Sequence, residues 1–425
     1  MKFYQREAMC VIGVGWILAS LLGAIPFFAF SPEIGMPDAF FESASGLTTT
    51  GASVLNDLES YPPSMLFWRC MSQWIGGMGV VVFFVAVFGF VGSGAKLLYS
   101  NEASGSLVEA EESRVQKTVL RIVYLYVAIS VVCSLCFRFA GMEWYEAICH
   151  TFATVSTGGF STRSASIAAF ENPAIEWIAI VFMAVCGSSF VMILRAIKGN
   201  LRFVRKNSEL LAYGVFLLVF SIAIGTSLAC DGTHGGYADI ARASIFQVVS
   251  IMTTTGFATE DFSLWSSFSH AILLVSMMIG GSTGSTAGGL KVARLVVAFR
   301  VCLSSIERSY RRRVVRRIRL NDRVVSERFV EDTVVYILLS TLTVVSGLLA
   351  LSILDGSHNL DTSMSSVLAC YFNIGPGLEE VGPLGNYASY SSSAKVLLAL
   401  MMILGRLELY AILALLSPSL WRSFK

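Results

Sequence analysis

Thr48-Thr49-Thr50-Gly51-Ala52 is the first of four related pentads. The others are Val155-Ser156-Thr157-Gly158-Gly159, Thr253-Thr254-Thr255-Gly256-Phe257 and Phe372-Asn373-Ile374-Gly375-Pro376. Aligned on Gly51, Gly158, Gly256 and Gly375, they recur at intervals of 107, 98 and 119 residues. A lone Thr-Thr-Thr-Gly is an ordinary turn, but four in register form an internal repeat that decides the architecture. Each pentad follows a short amphipathic stretch, at about 37–48, 143–154, 238–252 and 361–372. Apolar runs long enough to cross a bilayer bracket these units, at about 8–30, 65–91, 118–140, 173–197, 209–229, 264–303 (interrupted), 333–354 and 395–418. A helix of ~12 residues is only ~18 Å long against a hydrocarbon core of ~30 Å, so the short stretches are re-entrant or interfacial.

Composition agrees with a protein that is nearly all membrane. Of 425 residues, 55% are hydrophobic and 14% charged, against roughly 25% charged in a soluble domain, and the mean hydropathy is +0.67. The nine cysteines fall mostly inside apolar runs and the four histidines stand singly, so neither a disulfide framework nor a metal site is expected. Charge predicts the orientation. The termini and the links at about 92–117, 198–208 and 304–332, with adjoining helix ends, carry 25 Lys/Arg and 11 Asp/Glu; the opposite side carries 5 and 17. Basic residues accumulate in the cytoplasm, which predicts cytoplasmic termini and four pentads opening outward on an acidic face.

Non-helical backbone at membrane depth is tolerated only where protein buries it or where it lines a watery cavity. Four such segments about one axis meet that condition by turning carbonyls onto a cation. Glycine supplies the backbone freedom to aim them, and small Thr and Ser hydroxyls add oxygen ligands. The acidic outer face would concentrate cations at the mouth.

These residues resemble a known family. Span, pore helix, filter and span repeated four times in one chain is similar to the superfamily of Trk, Ktr and HKT potassium transporters. The stretches FFESASGLTTTGAS at 40–53, FWRCMSQWIGGMGV at 67–80, ATVSTGGFST at 153–162, GGSTGSTAGGLK at 280–291, NIGPGL at 373–378 and GRLELY at 405–410 resemble the bacterial Trk membrane subunit. The resemblance covers essentially the whole chain. It implies an all-α integral membrane protein with pseudo-fourfold repeats at 1–95, 96–200, 201–325 and 326–425. It also implies a potassium-binding filter of Thr49, Thr50, Gly51, Ser156, Thr157, Gly158, Thr254, Thr255, Gly256, Asn373, Ile374 and Gly375. In related transporters a serine at the first filter glycine goes with sodium preference, so Gly51 implies potassium, with rubidium tolerated. Ile374 and Pro376 make the fourth segment unlike the rest, and weaker selectivity than in a fourfold channel is expected. Many Trk subunits carry a further helical pair ahead of the first repeat; here Met1 falls just before that repeat, so a role of such a pair in packing or dimer contacts is not carried over as an expectation.

The sixth run holds a second signal. Gly280, Gly281, Ser282, Thr283, Gly284, Ser285, Thr286, Ala287, Gly288 and Gly289 place five glycines in ten residues, each costing ~1 kcal/mol in a helix relative to alanine. The helix must break there. The stretch does not fit a phosphate-binding loop, since no Lys-Ser or Lys-Thr follows the glycines; close packing by small residues is the structural alternative. The resemblance implies an intramembrane loop that gates the path beneath the filter. Arg406, in an apolar run, would cost ~2.5–3.5 kcal/mol at a helix centre. Glu408 lies two residues on and faces another way, so a pore-facing gate role with the loop is expected.

On the cytoplasmic side Arg311, Arg312, Arg313, Arg316 and Arg317 belong to a run of eight arginines in 16 residues. Anionic lipid headgroups suit that charge density. The resemblance adds docking of a cytosolic, nucleotide-binding, TrkA-like regulatory subunit, and the two are compatible; nucleic acid is not expected at a membrane surface. The resemblance further implies a homodimer in a bacterial cytoplasmic membrane. No organic cofactor is expected, only the transported potassium ion. A proton- or sodium-coupled symporter with the same filter is the rival; it would need a midplane acid or histidine relay, and Glu408 is the one candidate. An intramembrane enzyme is disfavoured because His150, His234, His270 and His358 all lie in or beside the outward segments.

Overall fold

The computed structural model describes residues 5–31, 33–90, 108–232, 236–311, 318–320 and 323–418. Four units follow one another along the chain. The first holds α1 (Gln5–Gly23), α2 (Ile25–Phe30), the short α3 (Met36–Leu47) and α4 (Pro63–Phe90). The second holds α5 (Val108–Phe139), the short α6 (Trp144–Val155), α7 (Pro173–Cys186) and α8 (Phe190–Ile197). After α9 (Leu201–Arg205) come α10 (Ser208–Asp231), the short α11 (Tyr237–Met252), α12 (Ser267–Ile279) and α13 (Val292–Tyr310). A two-residue hairpin, β1 (Arg319–Leu320) paired antiparallel with β2 (Arg323–Val324), precedes α14 (Glu327–Leu354), the short α15 (Leu360–Tyr371), α16 (Ser392–Arg406) and α17 (Tyr410–Leu416).

The short helices start and stop for legible reasons. Each carries an acid in its first turn, Asp38, Glu146, Asp239 and Asp361, and no basic residue in its last. The acids suit the positive end of the helix dipole, while the negative ends are left uncompensated for a cation. The Asn359 side chain caps α15 by accepting from Thr362 N at 2.8 Å.

Many apolar side chains lie on the outside while several strongly polar ones are buried. Leu211, Val215, Leu218, Val219 and Ile222 of α10 and Leu338, Leu342, Val345 and Leu349 of α14 are exposed, whereas Glu42, Arg69, Gln73, His150 and Gln247 are buried. In water this would be costly; in lipid, where a leucine loses nothing by exposure, it is the expected arrangement. Among the described residues, Cys10–Phe30, Lys117–Phe139, Ser208–Asp231 and Glu327–Leu354 are long and apolar enough to cross a bilayer unaided.

Two runs expected to be continuous are broken. The α7–α8 pair bends by 99° at Gly187-Ser188-Ser189, and the last run breaks between α16 and α17, where Glu408 and Leu409 take positive φ of 54° and 63°. Small polar residues in one case and a half-buried ion pair in the other offset the lost helix bonds. The break foreseen in the sixth run lies between α12 and α13, with positive φ at Gly280, Gly284, Gly289 and Lys291.

Each short helix packs beside the second span of the unit before it. α6 lies against α4, α11 against α7, α15 against α12, and α3 closes the sequence against α16. The order is cyclic, and it brings the ends of the four short helices to one place.

Candidate functional site

The loops that leave the short helices share one backbone path. A residue in the left-handed region comes second after the helix: Thr49 (φ 54°), Thr157 (54°), Thr254 (56°) and Asn373 (59°). The next amide returns five residues, Thr50 N to Ser45 O, Gly158 N to Ala153 O and Thr255 N to Ser250 O at 2.8 Å, and Ile374 N to Ala369 O at 2.9 Å. A positive-φ glycine follows: Gly51 (84°), Gly159 (78°), Gly256 (79°) and Gly375 (101°). This corrects the alignment of the second loop. Gly159, not Gly158, is in register with Gly51, and Gly158 matches Thr50.

The glycines are required by their neighbours as well as by φ. A Cβ on Gly51 would collide with the carbonyl oxygen of Gly158, one on Gly159 with that of Thr255, one on Gly256 with that of Ile374, and one on Gly375 with that of Thr50. Each glycine thus abuts the carbonyl just ahead of the next loop's glycine, and the fourth returns to the first. The contact is a closed ring.

Behind the ring, three of the short helices bond a buried polar residue to the chain that follows their loop. Glu42 Oε1 accepts from Ser53 Oγ at 2.6 Å and Val54 N at 2.7 Å. His150 Nε2 meets Ser161 Oγ at 2.9 Å. Ser366 Oγ lies 2.9 Å from Tyr390 Oη, and Gln247 fills the equivalent place in α11. Arg69 ties the first two loops: its Nε is 3.0 Å from Glu42 Oε2, its Nη1 donates to Ser161 O at 3.4 Å, and it stacks over Phe160. At the C-terminal end of α14, bonds from Ser357 Oγ and Ser391 N, both at 2.6 Å, hold the Asp355 carboxyl below its ordinary pKa, so it stays anionic there.

The glycine-rich break lies against these loops at Thr157, Thr254 and Phe372. Thr157 Oγ1 donates to Thr286 Oγ1 at 3.1 Å, and Gly288 N donates to Thr254 Oγ1 at 2.7 Å. A Cβ on Gly288 would strike Phe372 O, while Asn373 Nδ2 bonds Thr50 Oγ1 at 3.0 Å and Met402 O at 2.9 Å. Arg406, 4% exposed, donates through Nη1 to Thr286 O at 2.8 Å. Lys291 Nζ reaches Ala287 O at 2.6 Å, and Thr283 N donates to Glu209 at the start of α10. The break is therefore held from α10, from α16 and by its own lysine.

A family model described as "Cation transport protein", TrkH, matches residues 1–228 and 232–423. The chain belongs to the TrkH family. Among its relatives, the Trk system potassium uptake protein TrkH of Escherichia coli K12 is 36% identical, over 98% of this chain and 86% of that one. TrkG of the same strain is 33% identical, over 100% and 87%. The crystal structure of the potassium transporter TrkH from Vibrio parahaemolyticus superposes with a TM-score of 0.89 at 31% identity, over 99% of this chain and 87% of that one. As a TrkH-family member the protein is a multi-pass membrane transporter and not an enzyme.

Several residues of this TrkH-family site have contacts that the sequence motifs do not reveal. Glu408, the candidate for a proton relay, is paired with Arg294 of α13, and Arg294 stacks over Tyr336 at 3.9 Å. Gly159, Gln73 and Tyr387 gave no repeat signal; the polar residues at 42, 150, 247 and 366 share a position in the repeat but no common chemistry. Of the arginine cluster, Arg311 is 64% exposed and 3.5 Å from Glu307; Arg312, Arg313, Arg316 and Arg317 lie outside the described residues.

Proposed function

We propose that the protein takes up potassium across a bacterial inner membrane through a filter formed by the four glycine loops, arranged as pseudo-fourfold repeats. The observation that carries this reading is the closed ring of glycines against carbonyls, which gathers four Thr- or Asn-led backbones within contact of one another. Rings of oxygens replace an ion's hydration shell, and four uncompensated helix C-termini favour a cation beside them. The filter residues are Thr49, Thr50 and Gly51, Thr157, Gly158 and Gly159, Thr254, Thr255 and Gly256, and Asn373, Ile374 and Gly375. Ser156 caps α6 just ahead of them.

The break at Gly280–Gly289 and Arg406 form the gate, and both termini face the cytosol. The Arg311–Arg317 cluster meets lipid headgroups and a cytosolic nucleotide-binding subunit, and the protein works as a homodimer. Flow needs no coupled ion: 100 mV is worth ~2.3 kcal/mol per charge, so ~150 mV supports a roughly 300-fold gradient. The pairing of Glu408 with Arg294 supports this channel-like reading over coupled symport. The test is growth of a potassium-uptake-deficient bacterium on limiting potassium, with and without the cognate cytosolic subunit. Failure to restore growth in the subunit's presence, with the protein in the membrane, would reject uptake.

A further inference from the structure

The four loops are not braced alike. In the first, Ser45 Oγ on the short helix donates to Ala52 O at 2.6 Å; in the third, Ser250 Oγ donates to Phe257 O at 2.6 Å. The register fixed by the returning amides puts Ala153 and Ala369 at the same place in the second and fourth units, and alanine has no hydroxyl to give. Other elements supply a brace there. In the second loop, Gln73 of α4, fully buried, donates through Nε2 to Gly158 O at 2.5 Å and accepts from Phe160 N at 3.1 Å. In the fourth, Tyr387, 2% exposed, donates its hydroxyl to Gly375 O at 2.8 Å, while its own amide donates to Ser53 O of the first loop at 2.8 Å.

We propose that Gln73 and Tyr387 are positioning residues for ion discrimination: they replace, from outside the short helices, the serine braces that the second and fourth loops lack. The proposal rests on the potassium-filter reading. Both side chains act on residues of the ring itself. Gly158 O is the carbonyl that fills the space beside Gly51, and Gly375 is the glycine that closes the ring onto Thr50. Gln73 also accounts for the glycine doublet. Gly159 is glycine for its φ, whereas a Cβ on Gly158 would lie 2.5 Å from Gln73 Cδ, so glycine there makes room for the amide.

Selectivity depends on how firmly the carbonyls keep their positions when the smaller ion enters. A buried hydrogen bond lost without replacement lets one loop relax, and its net worth of about 1 kcal/mol corresponds to a roughly three- to tenfold change in a ratio of equilibria.

The test uses the full chain reconstituted in liposomes, reading the potassium-to-sodium permeability ratio for Tyr387→Phe and Gln73→Met, with Gly51→Ser beside them. Each of the first two is expected to lower the ratio by about three- to tenfold. Serine restored at the vacant position, Ala153→Ser with Gln73→Met and Ala369→Ser with Tyr387→Phe, is expected to recover most of it. A merely structural role would not produce that recovery. Tyr387→Phe removes a single oxygen and decides the matter even where Gln73→Met does not fold. An unchanged ratio in folded Tyr387→Phe, with Gly51→Ser shifted, overturns the proposal alone. A fall that the serine does not restore overturns the exchange of braces. If Gly51→Ser is also without effect, the filter reading fails and this proposal with it.

Discussion

Replacing Arg406 by alanine tests the gate. The guanidinium is buried, and its one bond among the described residues is from Nη1 to Thr286 O at 2.8 Å; Nε and Nη2 have no partner there. A hydrogen bond to a charged group is worth about 1.5–3 kcal/mol. If that bond holds the break across the path, its loss shifts the equilibrium toward the open form by about ten- to 150-fold, since 1.4 kcal/mol is a factor of ten. Folding should survive, because truncation leaves no opposite charge buried without its partner. Rubidium flux into potassium-loaded liposomes, measured without any cytosolic partner, should rise by an amount in that range, and addition of the partner should matter less. Arg406→Lys keeps the charge but loses the planar fork, so its flux should fall between. Protease-resistant Arg406→Ala that conducts no faster than the native protein refutes the reasoning.

Serine at Gly51, Gly159, Gly256 or Gly375 adds a Cβ where φ is positive and a carbonyl abuts, costing about 1–2 kcal/mol in backbone alone; each should lower the potassium-to-sodium ratio in reversal-potential measurements. Unchanged ion preference in all four would remove the filter assignment. Deleting Ser282 through Ala287 should raise basal flux, and an inserted, folded deletion protein no more conductive than the native one would leave the break only a packing role. Neutralising Arg311, Arg312 and Arg313 together should weaken regulation and leave selectivity alone. Pull-down with the cytosolic subunit and binding to anionic liposomes distinguish the two contacts, and loss of neither would reduce the cluster to a topological anchor.

The short helices were legible almost to the residue: α3, α6, α11 and α15 begin and end within one position of the amphipathic stretches at 37–48, 143–154, 238–252 and 361–372. Acid at one end and a Thr/Ser/Gly cluster at the other mark them in one dimension. The second loop was misaligned because Gly158 and Gly159 are the same letter, and only φ and the Gln73 amide tell their duties apart. The bend at Gly187-Ser188-Ser189 passed unnoticed because three small residues barely lower the hydropathy of a run, although they release its backbone. Arg406 stood out as an anomalous charge, and its Thr286 partner lay among the oxygens expected to solvate it. Gln73 lies within the stretch at 67–80 and Tyr387 outside every motif, and neither bracing contact could be read, because a brace lent by a distant element leaves no period in the sequence.

The ring closed by four loops of a single chain permits a division of labour that identical subunits could not reach. In a homotetramer every codon change is imposed on all four units at once, and four copies of the ten-residue break would contend for the space that one fills against the loops. Here the third unit carries the glycine-rich break, the fourth carries the arginine that bonds it, and the first carries the glutamine that bonds the second unit's loop. Four non-identical units in one chain thus leave each quarter free to differ as long as its neighbour still fits.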